Sequence, residues 1–491
     1  MNGWRKQWLL AAAVALWLVG CLPIPDVRLE LDLPQPTYRL ELERVATRYD
    51  GVDGYPEPNT PAELNRSFYL RYFVEGDTPR TVLVLVPGLF GGAMSFDILA
   101  RQLVAATPGL EVWAVDRRSN QLEDRSAIVE SLRLRDPTIA HRYYIEHYGR
   151  DDGFTPLSPE DVPFMGHWGL RVHLEDLHAI VLRAKAHADA VVLGGHSLGA
   201  SLVSLYAAFN LGETERPRAG ESLLDGLVLL DGTLGRTGGF DRNVFALGPI
   251  RVLPTVADLE AGLGTPYLTF PRGPVYFREA EVVALLARFR PDDLSPGGFV
   301  DYPATNRAVV GILADARHTP TPIFGVTLGE PVGARFAGNV VAVILSGREG
   351  VTSRSVTGVA PGFDYVDWRR GDPPALTDID HLARAFSGPY SNFGEWYFPV
   401  RLLLDISELS VALSDKADFV PHATVTVPTL AVGAERGLVA SLDGFSAYMN
   451  ARPGAPFSSY ILPRMTHLDI VTAEANPLVP LLKAWLRQLG H

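Results

Sequence analysis

One cysteine, Cys21, is all that the 491 residues contain, so no internal disulfide can form and the fold must rest on a buried core rather than on cross-links. Basic residues are in deficit. Lys and Arg total 44 against 56 Asp and Glu, a formal charge of -12, which excludes a nucleic-acid surface and gives no electrostatic hold on anionic lipid. The uncharged apolar run at 8–19 is shorter than the roughly 20 residues that cross a bilayer. The glycines at 88, 91 and 92 are not followed by Gly-Lys-Ser/Thr, so they do not form a phosphate-binding loop. The Asp378-Ile379-Asp380-His381 string lacks a metal-ligand spacing and is read as a helix start. Asp50-Gly51-Val52-Asp53 lacks the ligand count of a calcium loop and is read as a solvated turn. Internal repeats and low-complexity blocks are also wanting. No metal and no organic cofactor is implied.

What is present begins with a targeting segment. Arg5 and Lys6 precede the apolar stretch, and residues 1–20 are set aside as a signal peptide. The segment ends in Leu18-Val19-Gly20-Cys21, which resembles a bacterial lipobox. That resemblance implies acylation of Cys21 and attachment of the mature chain to the cell envelope. Leu22, in place of aspartate, favours the outer membrane if the host has one. Residues 21–37, with Pro23, Pro25, Pro34 and Pro36, read as an extended tether.

Over the 491 residues the composition, 47% hydrophobic and 20% charged, is that of a globular protein with a sizeable core, and regular patterning begins at residue 38. Strand-like alternation at 38–49 and 67–74 precedes a continuous apolar run at 81–86, the mark of a strand covered on both faces. Short apolar strands follow at 111–115, 190–193 and 226–230, separated by helical patterns that include 170–186. Strands alternating with helices predict a mostly parallel α/β sheet. Regularity then stops. Residues 233–422 are rich in Gly and Pro with scattered aromatics, and a strand pattern returns only at 425–432, followed by 457–462 and a closing helix at 477–488.

Gly195-His196-Ser197-Leu198-Gly199 lies between the apolar run at 190–193 and a helical stretch at 200–210. A serine becomes a nucleophile when a sharp strand-to-helix turn holds its Oγ clear of the backbone and a histidine can take its proton. The helix that follows also directs its first N–H groups at the place where an oxyanion would form.

Four features in chain order resemble the α/β-hydrolase superfamily: Pro87-Gly88-Leu89 after a buried strand, the Ser197 turn, the apolar strand into Asp231, and Met465-Thr466-His467-Leu468-Asp469. They cover roughly residues 67–231 and 425–491. His-Leu-Asp at the end looks most like the acid-lipase branch. The resemblance implies a core at 38–231 and 425–491, with a lid insertion at 232–424 before the penultimate core strand. It implies Ser197 as nucleophile, His467 as base, and the N–H groups of Leu89 and Leu198 as an oxyanion hole. The acid stays open between Asp231 and Glu435, because Arg436 and Gly437 stand where the family's aspartate is commonest. Asp469 is expected to start a helix. His196 is expected to point away from the nucleophile, and His167, His173 and His178 to be solvated. The aromatic run 393–399 either lines an acyl pocket over Ser197 or packs inside the lid.

Together these readings describe a lipid-anchored serine hydrolase of carboxylic, hydrophobic esters, acting through an acyl-enzyme on small-molecule or lipid esters. The rival is a catalytically silent lipoprotein of the same fold that binds a partner or lipid. The missing aspartate after Val432 favours it.

Overall fold

A computed structural model describes residues 44–213, 216–235, 246–247, 250–251, 253–269, 274–319, 325–338, 354–371, 374–407 and 418–490. The signal segment, Cys21 and the tether lie outside the described residues. Eight strands form one sheet: β1 (Val45–Asp53), β2 (Arg66–Val74), β3 (Thr81–Val86), β4 (Leu110–Asp116), β5 (Ala190–His196), β6 (Gly226–Leu230), β7 (Thr429–Arg436) and β8 (Phe457–Thr466). Their order across the sheet is β1-β2-β4-β3-β5-β6-β7-β8. Only β2 runs against the others, pairing antiparallel with both β1 and β4. Every pair from β4 to β8 is parallel.

The apolar run at 81–86 is β3, and all six of its residues are buried. Successive side chains alternate across the sheet. Val82, Val84 and Val86 join the core formed with helices α3 (Leu170–Lys185) and α4 (Leu198–Ala208). Leu83 and Leu85 join the core on the other face with α1 (Asp97–Ala106) and α9 (Leu478–Gln488). Fully burying an aliphatic side chain contributes about 1.5–3 kcal/mol, so two covered faces per strand supply the stabilisation that cross-links do not.

Asp50-Gly51-Val52-Asp53 corrects the turn expected there: these residues continue β1, pairing with Tyr69, Phe68, Ser67 and Arg66. A Cβ on Gly51 would lie 2.9 Å from the Phe68 ring. Glycine at this point makes room for an aromatic across the strand pair and does not bend the chain.

The expected irregularity of 233–422 is also corrected. Among the described residues, β6 and β7 are separated by a short helix (Val256–Glu260), α5 (Pro274–Phe289), α6 (Asn306–Ala314), α7 (Ile379–Phe386), α8 (Val400–Ser407) and three two-stranded antiparallel pairs. Helix α5 is buried from two sides, with Val283, Ala284 and Ala287 in one cluster and Val282, Leu285 and Leu286 in another. A helix covered on two sides has no polar face, and its period is correspondingly hard to see. Among the described residues no helix is long and apolar enough to cross a membrane.

Candidate active site

The turn between β5 and α4 bends at Ser197, with φ 58° and ψ -123°. This is a strained conformation for a residue with a side chain, costing about 1–3 kcal/mol. Its N–H donates to the Leu230 carbonyl at 2.9 Å, which ties the turn to the end of β6. The flanking glycines face each other: a Cβ on Gly195 would sit 2.1 Å from the Gly199 carbonyl oxygen. Among the described residues five non-glycine positions have positive φ, and Phe90, Ser197 and Asp231 are three of them. Strain is therefore gathered where the three strand ends β3, β5 and β6 meet.

His467 follows β8 directly and is buried. Its Nδ1–H donates to Asp231 Oδ2 at 2.6 Å. With the proton fixed on Nδ1, Nε2 of the neutral ring is the acceptor. Asp231 is fully buried at the end of β6 and accepts three more hydrogen bonds, from the backbone N–H of Ala434 at 3.0 Å, Leu438 at 2.7 Å and Val439 at 2.9 Å. Burial raises the Asp231 carboxyl. The hydrogen bond and charge of His467 and the backbone donors outweigh it, and the net shift is downward.

Glu435, the other candidate acid, is exposed, and its carboxylate accepts from the Arg464 N–H at 2.6 Å. It does not meet His467. Gly437 gives the reason that the end of β7 carries no acid. A Cβ there would lie 2.0 Å from Asp231 Oδ2, so the carboxylate of Asp231 fills the space a side chain would take.

Gly88 brings the turn after β3 against the serine, because a Cβ on it would lie 2.7 Å from Ser197 Cβ and 3.2 Å from Oγ. Leu89, the next residue, lines the cavity that also holds Ser197 and His467, and Leu198 is the first residue of α4. Both backbone positions expected to form an oxyanion hole thus adjoin the serine.

Of the other histidines and acids singled out in the sequence, Asp469 and Asp378 stand at helix starts as expected, and His173 does not lie in solvent. The ring of His196 stacks on that of His467 with centroids 4.4 Å apart, and its Nε2–H donates to the His467 carbonyl at 2.9 Å. Burial first, then the nearby His467, depress its pKa to about 3, so the ring is neutral. His173 is buried rather than solvated and bonds the Gly169 carbonyl at 2.8 Å, while His178 meets the Tyr206 hydroxyl at 2.9 Å. Asp469 starts the short helix Asp469–Thr472 and also accepts from Thr327 and Thr377 of the insertion, which pins the loop carrying His467. Asp378 caps α7 through the N–H groups of Asp380 and His381. Asp378, His381 and Glu474 could each turn one ligand atom to a common point, but His381 Nδ1 already pairs with Glu474 at 2.5 Å.

The insertion roofs a cavity of about 190 Å³ over Ser197 and His467. Phe277, Val283 and Ala284 of α5, Val310 and Leu313 of α6, and Phe393 line it. The aromatic run divides: Phe393 and Gly394 face this cavity, whereas Trp396, Tyr397 and Phe398 are buried in the packed interior. Such an apolar cleft can admit a hydrocarbon group beside the serine.

A single antiparallel strand in second place, the crossed order of β4 and β3, and a strained serine after β5 complete the pattern. This is the α/β-hydrolase fold. No family model matches the chain, and no curated protein matches it. Solved structures similar to it include a candidate lipase from Sulfolobus solfataricus, at 16% identity over 91% of this chain and 95% of that one, with a TM-score of 0.48. Epoxide hydrolase A from Mycobacterium thermoresistibile is 15% identical over 90% and 98%, with a TM-score of 0.39. An esterase from Thermogutta terrifontis is 11% identical over 90% and 99%, with a TM-score of 0.36. At such distances the likeness carries no information about chemistry, which must come from the site itself.

Proposed function

We propose that this chain is a serine hydrolase that cleaves carboxylic esters with a hydrophobic acyl group, and that acylated Cys21 holds it at a bacterial envelope, the outer membrane where there is one. The observation that carries the catalytic part is the buried 2.6 Å bond to Asp231 from His467, which lines the same cavity as Ser197. In this reading Ser197 Oγ attacks the ester carbonyl carbon while its proton passes to His467 Nε2. Asp231 holds the ring and balances the imidazolium that forms. The carbonyl oxygen, now an anion, meets the N–H groups of Leu89 and Leu198. The C–O bond breaks, the alcohol leaves with the proton from His467, and water repeats the sequence on the acyl-serine to release the acid.

The apolar lining favours a hydrocarbon acyl chain, since burying each CH₂ contributes about 0.8 kcal/mol. The rival reading, a silent binding module, rests on the lack of an acid after β7; Asp231 supplies a carboxylate from β6 instead.

Ser197→Ala tests the proposal. Loss of nitrophenyl ester hydrolysis by a factor on the order of 10⁶ in kcat, with loss of fluorophosphonate labelling and an unchanged fold, is expected. Undiminished turnover in the alanine variant would refute it.

A further inference from the structure

The oxyanion turn after β3 is not self-supporting. Arg117, one residue past β4 and only 3% exposed, donates from Nη2 to the carbonyls of Pro87 at 2.6 Å and Gly88 at 2.9 Å, and from Nη1 to that of Gly91 at 3.0 Å. The Gly88 carbonyl belongs to the same peptide group as the Leu89 N–H. Because a trans peptide is planar, with C=O and N–H pointing opposite ways, holding that oxygen on Arg117 sets the direction of the N–H on the other side.

The anion facing Arg117 comes from the insertion. Glu395, fully buried, meets Nη1 at 2.8 Å and also accepts from the Ser119 hydroxyl. Its backbone joins the same turn. The Glu395 N–H donates to the Phe90 carbonyl at 2.8 Å, and the Gly92 N–H donates to the Phe393 carbonyl at 3.0 Å. Phe398, three residues on, lies under the guanidinium at 5.1 Å.

We propose that Arg117 and Glu395 are positioning residues that fix the Gly88–Leu89 peptide as an oxyanion donor, so that turnover requires the insertion to be seated on the core. This rests on the hydrolase reading above. A planar guanidinium spreads its donors over three nitrogens and can meet these four acceptors at once, whereas an ammonium has three donors on one nitrogen and cannot span them. Arg117→Lys keeps the charge and loses the geometry.

The test compares the full chain with Arg117→Lys and Glu395→Gln, using a nitrophenyl ester and a trifluoromethyl ketone whose hemiketal oxyanion would occupy the same donors. Active sites are counted by fluorophosphonate labelling. Loss of an oxyanion donor costs roughly 10²–10³ in kcat. Arg117→Lys is expected to lose at least about 100-fold in kcat per labelled site, with KM changed by less than about threefold and ketone affinity falling in step with kcat. Glu395→Gln should fall in the same direction by about tenfold, and it decides the question if Arg117→Lys does not fold. A variant that merely loses stability would lower the count of labelled sites and leave kcat per site unchanged, and that result would overturn the proposal. A wild-type chain that neither hydrolyses the ester nor reacts with the probe would overturn both this inference and the hydrolase reading.

Discussion

The ring of His196 lies on the ring of His467 at 4.4 Å with 30° between their planes, and its Nε2–H bonds the carbonyl of His467 itself. The residue before the serine therefore fixes the backbone of the candidate base. His196→Phe would retain a stacking ring and orphan that buried carbonyl, which costs roughly 1–3 kcal/mol. If about 1.4 kcal/mol of it appears in the barrier, kcat falls tenfold. Steady-state kinetics on a nitrophenyl ester would show this, and an unchanged kcat would mean that the contact is indifferent to catalysis.

Asp231→Asn and Glu435→Gln should separate sharply. A histidine deprived of its carboxylate loses tautomer and orientation, and the expected loss in kcat for Asp231→Asn is about 10⁴-fold. Glu435→Gln, at an exposed side chain bonded to Arg464, should stay within about twofold. Gly437→Ala should behave like a weaker Asp231 variant, because the added methyl would lie 2.0 Å from the Asp231 carboxylate. Activity equal to wild type in Gly437→Ala would show that the carboxylate can move without consequence.

Much of this frame is local and legible in the sequence. The runs at 81–86 and 226–230 are strands because each is short, apolar and bounded by turn residues, and the serine turn is declared by five consecutive residues. The choice between Asp231 and Glu435 is not legible there. It depends on which of two strand ends leaves room beside His467, and that is decided by an absent side chain at 437. Arg117 and Glu395 are 278 residues apart, and no periodicity links them. Asp50 to Asp53 resemble a turn by composition, and only the partner strand shows them to be extended. His173 has the charged helical neighbours of a surface residue, yet it faces inward.

His173 gives a prediction about acid stability. Burial first of all, with Arg117 and Arg118 adding to it, depresses its pKa to about 3 against the ordinary 6.5. Below pH 6.5 the unfolded chain takes up a proton at this residue that the folded chain does not, so its contribution is present above pH 6.5 and is lost as pH falls toward 3. Between pH 7 and pH 5 the loss amounts to about 2 kcal/mol. Urea unfolding of wild type and His173→Gln at both pH values should show wild type losing more stability by about that amount. Equal losses would place the titrating groups elsewhere.

For Cys21 the expected outcome is separation by anchoring. One acyl chain gives marginal membrane binding and two or more give firm attachment, at about 0.8 kcal/mol per buried CH₂. Wild type expressed in a bacterial host should sediment with membranes and be released by detergent but not by salt. Cys21→Ser should be soluble and keep its esterase activity. An unmodified mature N-terminus at another residue, found by mass spectrometry, would show that the segment is an ordinary secretory signal.

Gly437 and Asp231 also bear on how such a site can have changed through descent. The carboxylate of Asp231 occupies the volume that a side chain at 437 would need, so the two strand ends are rival addresses for one functional group. A lineage that gains an aspartate at 437 while keeping Asp231 forces two anions into the same space, and one that gives up Asp231 first has an unpaired histidine. With Asp231 as the acid, either change alone would be expected to weaken the pair with His467. Moving the carboxylate to 437 therefore calls for a change at both positions, and a glycine with no chemistry of its own decides which strand end has room for it.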